Sequence, residues 1–140
     1  MNSEVLEFSE VLEFLDKKDY KYSENKIDIP AIVIDSISSL NKQKFKVGDS
    51  SDIGKISFSD ARLLKAGKDT YEYRRKLHFV LVSDTACLVV YTEGGVGTCD
   101  VVDYLRYKGG YKHIRYTTTE VLSDTLKLGV FLRRNPKPEK

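Results

Sequence analysis

The sequence predicts a mixed α+β domain of the α/β layer kind: one sheet built around an antiparallel hairpin, with helices packed on it, in the order ααβββαβα. Three observations carry this. Residues 71–92 hold two apolar, β-branched runs separated by Ser83-Asp84-Thr85, the pattern of a hairpin. Residues 3–15 alternate acids and apolar residues behind a serine, the pattern of an opening helix. The 140 residues are 41% hydrophobic and 31% charged, which suits one ordinary core rather than disorder. Residues 1–134 are expected to form this single globular domain, and 135–140 a flexible basic tail.

The first helix is written twice over, as Ser3-Glu-Val-Leu-Glu-Phe8 and Ser9-Glu-Val-Leu-Glu-Phe14. A repeat of six does not divide by 3.6, so its apolar side chains spread around the helix and ask for cover on more than one side. Asp19 to Lys26 is polar and loop-like. Pro30 suits the first turn of a second helix, with Val33, Ile37 and Leu40 at helical spacing, although Ile32-Val-Ile34 would also make a strand. Lys55–Ser59 alternates as a short strand, and Asp60–Gly67 reads as a helical turn ending at glycine. The hairpin strands follow at 71–82 and 86–92. Thr98 is placed to cap a helix carrying Val101, Val102 and Leu105 and stopped by Gly109. Tyr111–Tyr116 alternates as a strand. Thr117 and Glu120 have capping-box spacing for a last helix carrying Val121, Leu122 and Leu126 and ending at Gly129, before a last short strand or extension at Val130–Arg134.

No apolar run approaches the ~20 residues of a membrane span, so no membrane contact is expected. The N-terminus lacks the basic stretch of a signal peptide, so the expected location is cytoplasmic. Cys87 and Cys99 then read as reduced, buried thiols; a bridge between them would require their segments to lie side by side. The net charge of +2 is uneven: residues 1–20 carry six acids against Lys17 and Lys18, and residues 106–140 carry nine bases against three acids.

The chemistry-bearing stretches are incomplete as catalytic motifs. Glu93-Gly-Gly-Val-Gly-Thr98 lies where backbone amides could cradle a phosphate, but it matches no phosphate-loop spacing and lacks the lysine. His78, Cys87, Cys99 and His113 do not fall at the short spacings of a zinc site, so neither a metal nor a cofactor is expected. The most chemically loaded segment is Tyr104 to Tyr116, in which tyrosines are interleaved with Arg106, Lys108, Lys112, His113 and Arg115, the residue types that stack on bases and pair with phosphates.

The C-terminal third, from Asp100-Val-Val-Asp-Tyr-Leu-Arg106 through Gly110-Tyr-Lys-His-Ile-Arg-Tyr116 to Glu120, resembles the closing helix–strand–helix of small restriction-endonuclease-like PD-(D/E)xK domains. The resemblance implies a magnesium-dependent nuclease in which Asp84 stands for the aspartate and Glu93 for the second acid. Position 95 is glycine where that family carries its lysine, and no proline precedes Asp84.

Two functions from different classes follow. The first is a small non-catalytic binding module, an accessory protein comparable to immunity proteins in size and in lacking a catalytic motif. Its first helix, with Glu4, Glu7, Phe8 and Glu10, would meet a protein partner or a second copy, and Tyr104, Tyr107, Tyr111 and Tyr116 would be partly core and partly interface. The alternative is a nucleic-acid-binding domain of degenerate or unorthodox nuclease type. In it Tyr104, Arg106, Tyr107, Lys108, Tyr111, Lys112, Arg115, Arg133 and Arg134 would form the contact surface.

Overall fold

The alternation that predicts the hairpin is realised in β2 (Arg75–Val82) and β3 (Ala86–Glu93), paired antiparallel across the Ser83–Thr85 turn. In this computed structural model residues 3–44, 75–93 and 99–135 are described, with the backbone alone for 3–9 and 38–44. Among them the sheet has five antiparallel strands in the order β1-β2-β3-β4-β5, where β1 is Lys21–Ser23, β4 is Cys99–Arg106 and β5 is Lys112–Thr118. The helices are α1 (Ser3–Lys17), α2 (Ala31–Lys44) and α3 (Thr125–Arg134). The mixed α+β class with one sheet built around a hairpin is therefore the observed architecture. None of the described helices is long and apolar enough to cross a membrane.

Both faces of the sheet are covered. On one, Phe79, Leu81, Leu88, Val90, Val102, Tyr104, Ile114 and Tyr116 pack with Val11 and Leu15 of α1 and Leu128, Phe131 and Leu132 of α3. On the other, Leu77, Val80, Cys87, Val89, Tyr91, Val101 and Leu105 pack with Ile29 and with Val33 and Ile37 of α2. The central strands are thus buried on both sides, which is unusual for antiparallel sheets and gives them nearly continuous apolar sequences.

That burial explains the main departure from the sequence reading. The sequence predicts a helix between Thr98 and Gly109, yet Cys99–Arg106 is strand β4. Val101, Val102 and Leu105 mimic helical spacing only because both faces of the strand are apolar; the β-branched and aromatic residues fit a pleated surface better. The Gly109-Gly110 break is accordingly a hairpin turn between β4 and β5, and both glycines have positive φ, 77° and 99°.

The last helix also lies elsewhere. Thr117 and Thr118 extend β5, as β-branched residues favour, and the Thr117–Glu120 spacing caps nothing helical. Asp124 is the cap instead: its Oδ1 accepts from Lys127 N at 2.8 Å. Gly129 lies inside α3 rather than ending it, and Val130–Arg134 is helix, not strand. A Cβ at Gly129 would come within 3.5 Å of Leu15 on α1, so the two helices approach closely there. In the polar stretch 19–26, Lys21–Ser23 adds a short edge strand beside β2, followed by a single 3-10 turn at Lys26–Asp28. The strand at Lys55–Ser59, the turn at 60–67, the start of the hairpin at 71–74, the glycine loop 94–98 and the tail beyond Asn135 lie outside the described residues.

Removing the Asp124 cap isolates one of these findings. Asp124→Ala is expected to cost about 1 kcal/mol, read as a lower urea midpoint, while Asp124→Ser stays close to wild type. An unchanged midpoint for Asp124→Ala would return the start of the helix to Thr117.

Candidate functional site

A polar network is built on the β4–β5 pair. Asp103 faces α2 from the middle of β4, 1% exposed, and Arg115 lies directly opposite it on β5, 8% exposed. Arg115 donates from Nε to Asp103 Oδ1 at 2.7 Å and from a terminal nitrogen to Oδ2 at 2.9 Å, a two-pronged pair. Tyr91 on β3 donates its hydroxyl to Asp103 Oδ2 at 2.7 Å. His113, two residues along β5 and so on the same face, places Nε2 2.7 Å from Asp103 Oδ1. Its other nitrogen, Nδ1, lies 2.8 Å from Ser36 Oγ on α2, and Ser36 Oγ lies 2.7 Å from the Tyr111 hydroxyl.

Proton directions follow in the neutral imidazole. Asp103 can only accept, so Nε2 carries the hydrogen and Nδ1 is the acceptor. Ser36 then donates to Nδ1 and accepts from Tyr111. The chain runs from an exposed tyrosine through a half-buried serine to a carboxylate in the core.

The opposite face carries a smaller counterpart. Asp100 accepts from Thr92 Oγ1 at 2.7 Å and from the Leu122 backbone N–H at 2.7 Å, and His78 Nε2 lies 2.7 Å from Thr92 Oγ1 and 3.1 Å from Asp100. This ties the connection between β5 and α3 onto the sheet. For both aspartates burial pushes the pKa up, but the hydrogen bonds they accept outweigh it. His78, Leu122 and Thr92 hold Asp100 below the usual carboxylate range, and His113 and Arg115 hold Asp103 below it.

A groove lies at the other side of the molecule, between α1 and the β2–β3 turn. It encloses about 530 Å³ and is bounded by Glu10, Glu13, Phe14, Lys17 and Asp19 on one side, and by Ser83, Thr85, Tyr104 and Arg106 on the other. Glu10 closes its floor, accepting from the Tyr104 hydroxyl at 2.7 Å and from Arg106 at 2.9 Å.

The residues singled out in the sequence scatter over these features. Asp84 sits in the β2–β3 turn and Glu93 at the far end of β3, beside Arg75 at 3.3 Å. At ~3.3 Å per residue the two acids stand more than about 20 Å apart, so they do not meet in one metal site. No group of three or more His, Cys, Asp or Glu among the described residues is arranged to hold a metal ion. Tyr107 donates to the carbonyls of Ser83 and Ala86, at 2.6 and 3.1 Å, and braces the turn. Arg106 also caps the Gly110 carbonyl, Arg133 pairs with Asp16 of α1, and Arg134 with Glu120. Lys108 is exposed and Lys112 half-buried at the start of β5. The side chains of Glu4, Glu7 and Phe8 lie outside the described residues. Cys87 and Cys99 do lie on adjacent strands, but Cys87 faces Leu105 and Cys99 faces Glu93, roughly 20 Å apart along the ladder, so they do not bridge each other. Burial pushes the Cys87 thiol pKa far up, which makes it unreactive.

Ser36, Tyr91 and Asp103 were missed as site residues. Ser36 and Tyr91 carry no local signal, and the sequence reading put Asp103 on a helix that does not exist.

A lowered carboxylate pKa adds stability that is complete above the unfolded value near ~4 and is lost as pH falls through the folded value. The urea midpoint should therefore hold between about pH 7 and 5 and drop below about pH 4. In Asp100→Asn the midpoint should start lower and fall less steeply; an identical acid slope would remove Asp100 from the account.

Against known proteins, no family model matches this chain, and neither a curated protein nor a solved structure matches it.

Proposed function

We propose that this chain is a small protein-binding module of the accessory kind, and that its partner seats in the groove between α1 and the β2–β3 turn. The groove itself is the observation that carries the reading. Its lining sets the half-buried ring of Phe14 among the carboxylates of Glu10, Glu13 and Asp19 and the cations of Lys17 and Arg106, with Tyr104 buried beneath them, a mixture of apolar and charged groups that a protein partner can match. Glu10, read from the sequence as part of a partner-binding helix, forms the floor of this groove through Tyr104 and Arg106.

The nucleic-acid reading draws less support. Of the cations it needs, Arg106, Arg115, Arg133 and Arg134 each hold a carboxylate of the same chain. The exposed pairs at Arg133 and Arg134 would exchange cheaply for phosphate. Arg115 would not, because leaving Asp103 unpaired in the core costs several kcal/mol, of the order of 3–5.

Panning a displayed library of random peptides on the purified protein tests the proposal. Peptides that enrich should bind the Glu13→Arg/Thr85→Arg double variant at least about tenfold more weakly, since two opposed guanidinium groups fill the groove and change its charge. The melting temperature should stay near wild type, because both positions are at the surface. Enriched peptides that bind the double variant as well as wild type would move the contact elsewhere, and a library with no enrichment would count against a peptide-binding groove.

A further inference from the structure

The Ser36–His113–Asp103 series is on the opposite sheet face from the groove, and partner binding leaves it unused. Its order is that of an activated nucleophile: a hydroxyl 2.8 Å from a ring nitrogen, and the other ring nitrogen 2.7 Å from a buried carboxylate. The carboxylate is held by Arg115 and Tyr91, so the imidazole it grips has one orientation and one tautomer. Tyr111, 62% exposed, reaches the same Ser36 oxygen and marks the side open to solvent.

We propose that Ser36 is a nucleophile toward small activated esters, with His113 as its general base. Ser36 Oγ bonds to the carbonyl carbon while its proton passes to His113 Nδ1 and the C=O π pair moves onto oxygen. When the intermediate collapses, the bond to the leaving oxygen breaks and that oxygen takes the proton from Nδ1. The products are acyl-Ser36 and an alcohol. Water then attacks the acyl carbon, gives a proton to Nδ1, and Ser36 Oγ departs with that proton, releasing the carboxylic acid. The Tyr111 hydroxyl, 2.7 Å from Ser36 Oγ, is an exposed group placed to donate to the charge that develops on the carbonyl oxygen. Arg115 already neutralises Asp103, which weakens the support that carboxylate gives to an imidazolium, so both acylation and deacylation are slow.

The test is intact-mass analysis after exposure to a fluorophosphonate probe, with p-nitrophenyl acetate hydrolysis beside it. Wild type should gain one probe adduct, mapped to Ser36, and Ser36→Ala should gain none while still unfolding in one cooperative transition. His113→Ala should label about 100-fold more slowly, and free imidazole in the buffer should restore part of that rate, which a purely structural histidine would not allow. Tyr111→Phe, an exposed change that leaves the fold intact, should slow p-nitrophenyl acetate hydrolysis. Wild type that stays unmodified overturns the proposal, as does an adduct that persists in Ser36→Ala. Loss of peptide binding in the groove variant with Ser36 labelling intact would separate this activity from the binding role.

Discussion

A carboxylate in the middle of a sheet buried on both faces is the constraint on which the structure turns. Asp103 cannot be left ionised and alone in that position, and its partners come from the two flanking strands, Tyr91 from β3 and His113 and Arg115 from β5. Arg115 meets it only in the observed register, in which the two residues stand directly opposite. A slip of one residue would swing the guanidinium to the other face, toward α1 and α3, and leave the charge uncompensated. The β4–β5 register is therefore fixed by charge as well as by the glycine turn. Hydrophobic packing alone would select it only loosely, since residues on both faces of β4 are apolar.

Each covering helix is tied to the sheet or to a neighbouring helix by polar contacts of different worth. α2 is joined through Ser36 to His113, at the end of the Asp103 network. α1 is joined through Glu10 to Tyr104 and Arg106, partly shielded at the groove floor. α3 is joined to α1 through the exposed Arg133–Asp16 pair, a contact worth at most about 1 kcal/mol. The close approach at Gly129 and the Leu128, Phe131 and Leu132 side chains hold α3 far more firmly than that ion pair does. Specificity of arrangement lies in the buried polar groups, and most of the cohesion lies in the apolar layers around them.

How much of this was legible in the sequence depended on whether a signal was local. The hairpin of β2 and β3 declared itself through β-branched runs either side of a polar turn, and α1 through its acids and apolar spacing. β4 did not, because burial on both faces erases the period of two by which strands are recognised. The start of α3 was placed too early because Thr117 and Glu120 imitate a capping box, whereas the threonines prolong a strand and Asp124 caps the helix. Arg115 was read as a phosphate contact from its basic neighbourhood, and nothing local could assign it to Asp103. The link between Ser36 and His113 spans 77 positions and exists only once α2 lies across the sheet. The groove combines three residues read from the sequence as contacts, Glu10, Tyr104 and Arg106, with others such as Glu13 and Thr85 that carry no local signal of contact.

A double-mutant cycle on Asp103 and Arg115 tests the central claim most directly. Asp103→Ala and Arg115→Ala should each cost about 3–5 kcal/mol in urea unfolding, since each strands a buried charge. The double variant should cost clearly less than their sum, because neither charge is then left alone. Single changes each below about 1 kcal/mol, or strictly additive costs, would mean that Asp103 and Arg115 do not form the buried pair on which the register and the network depend.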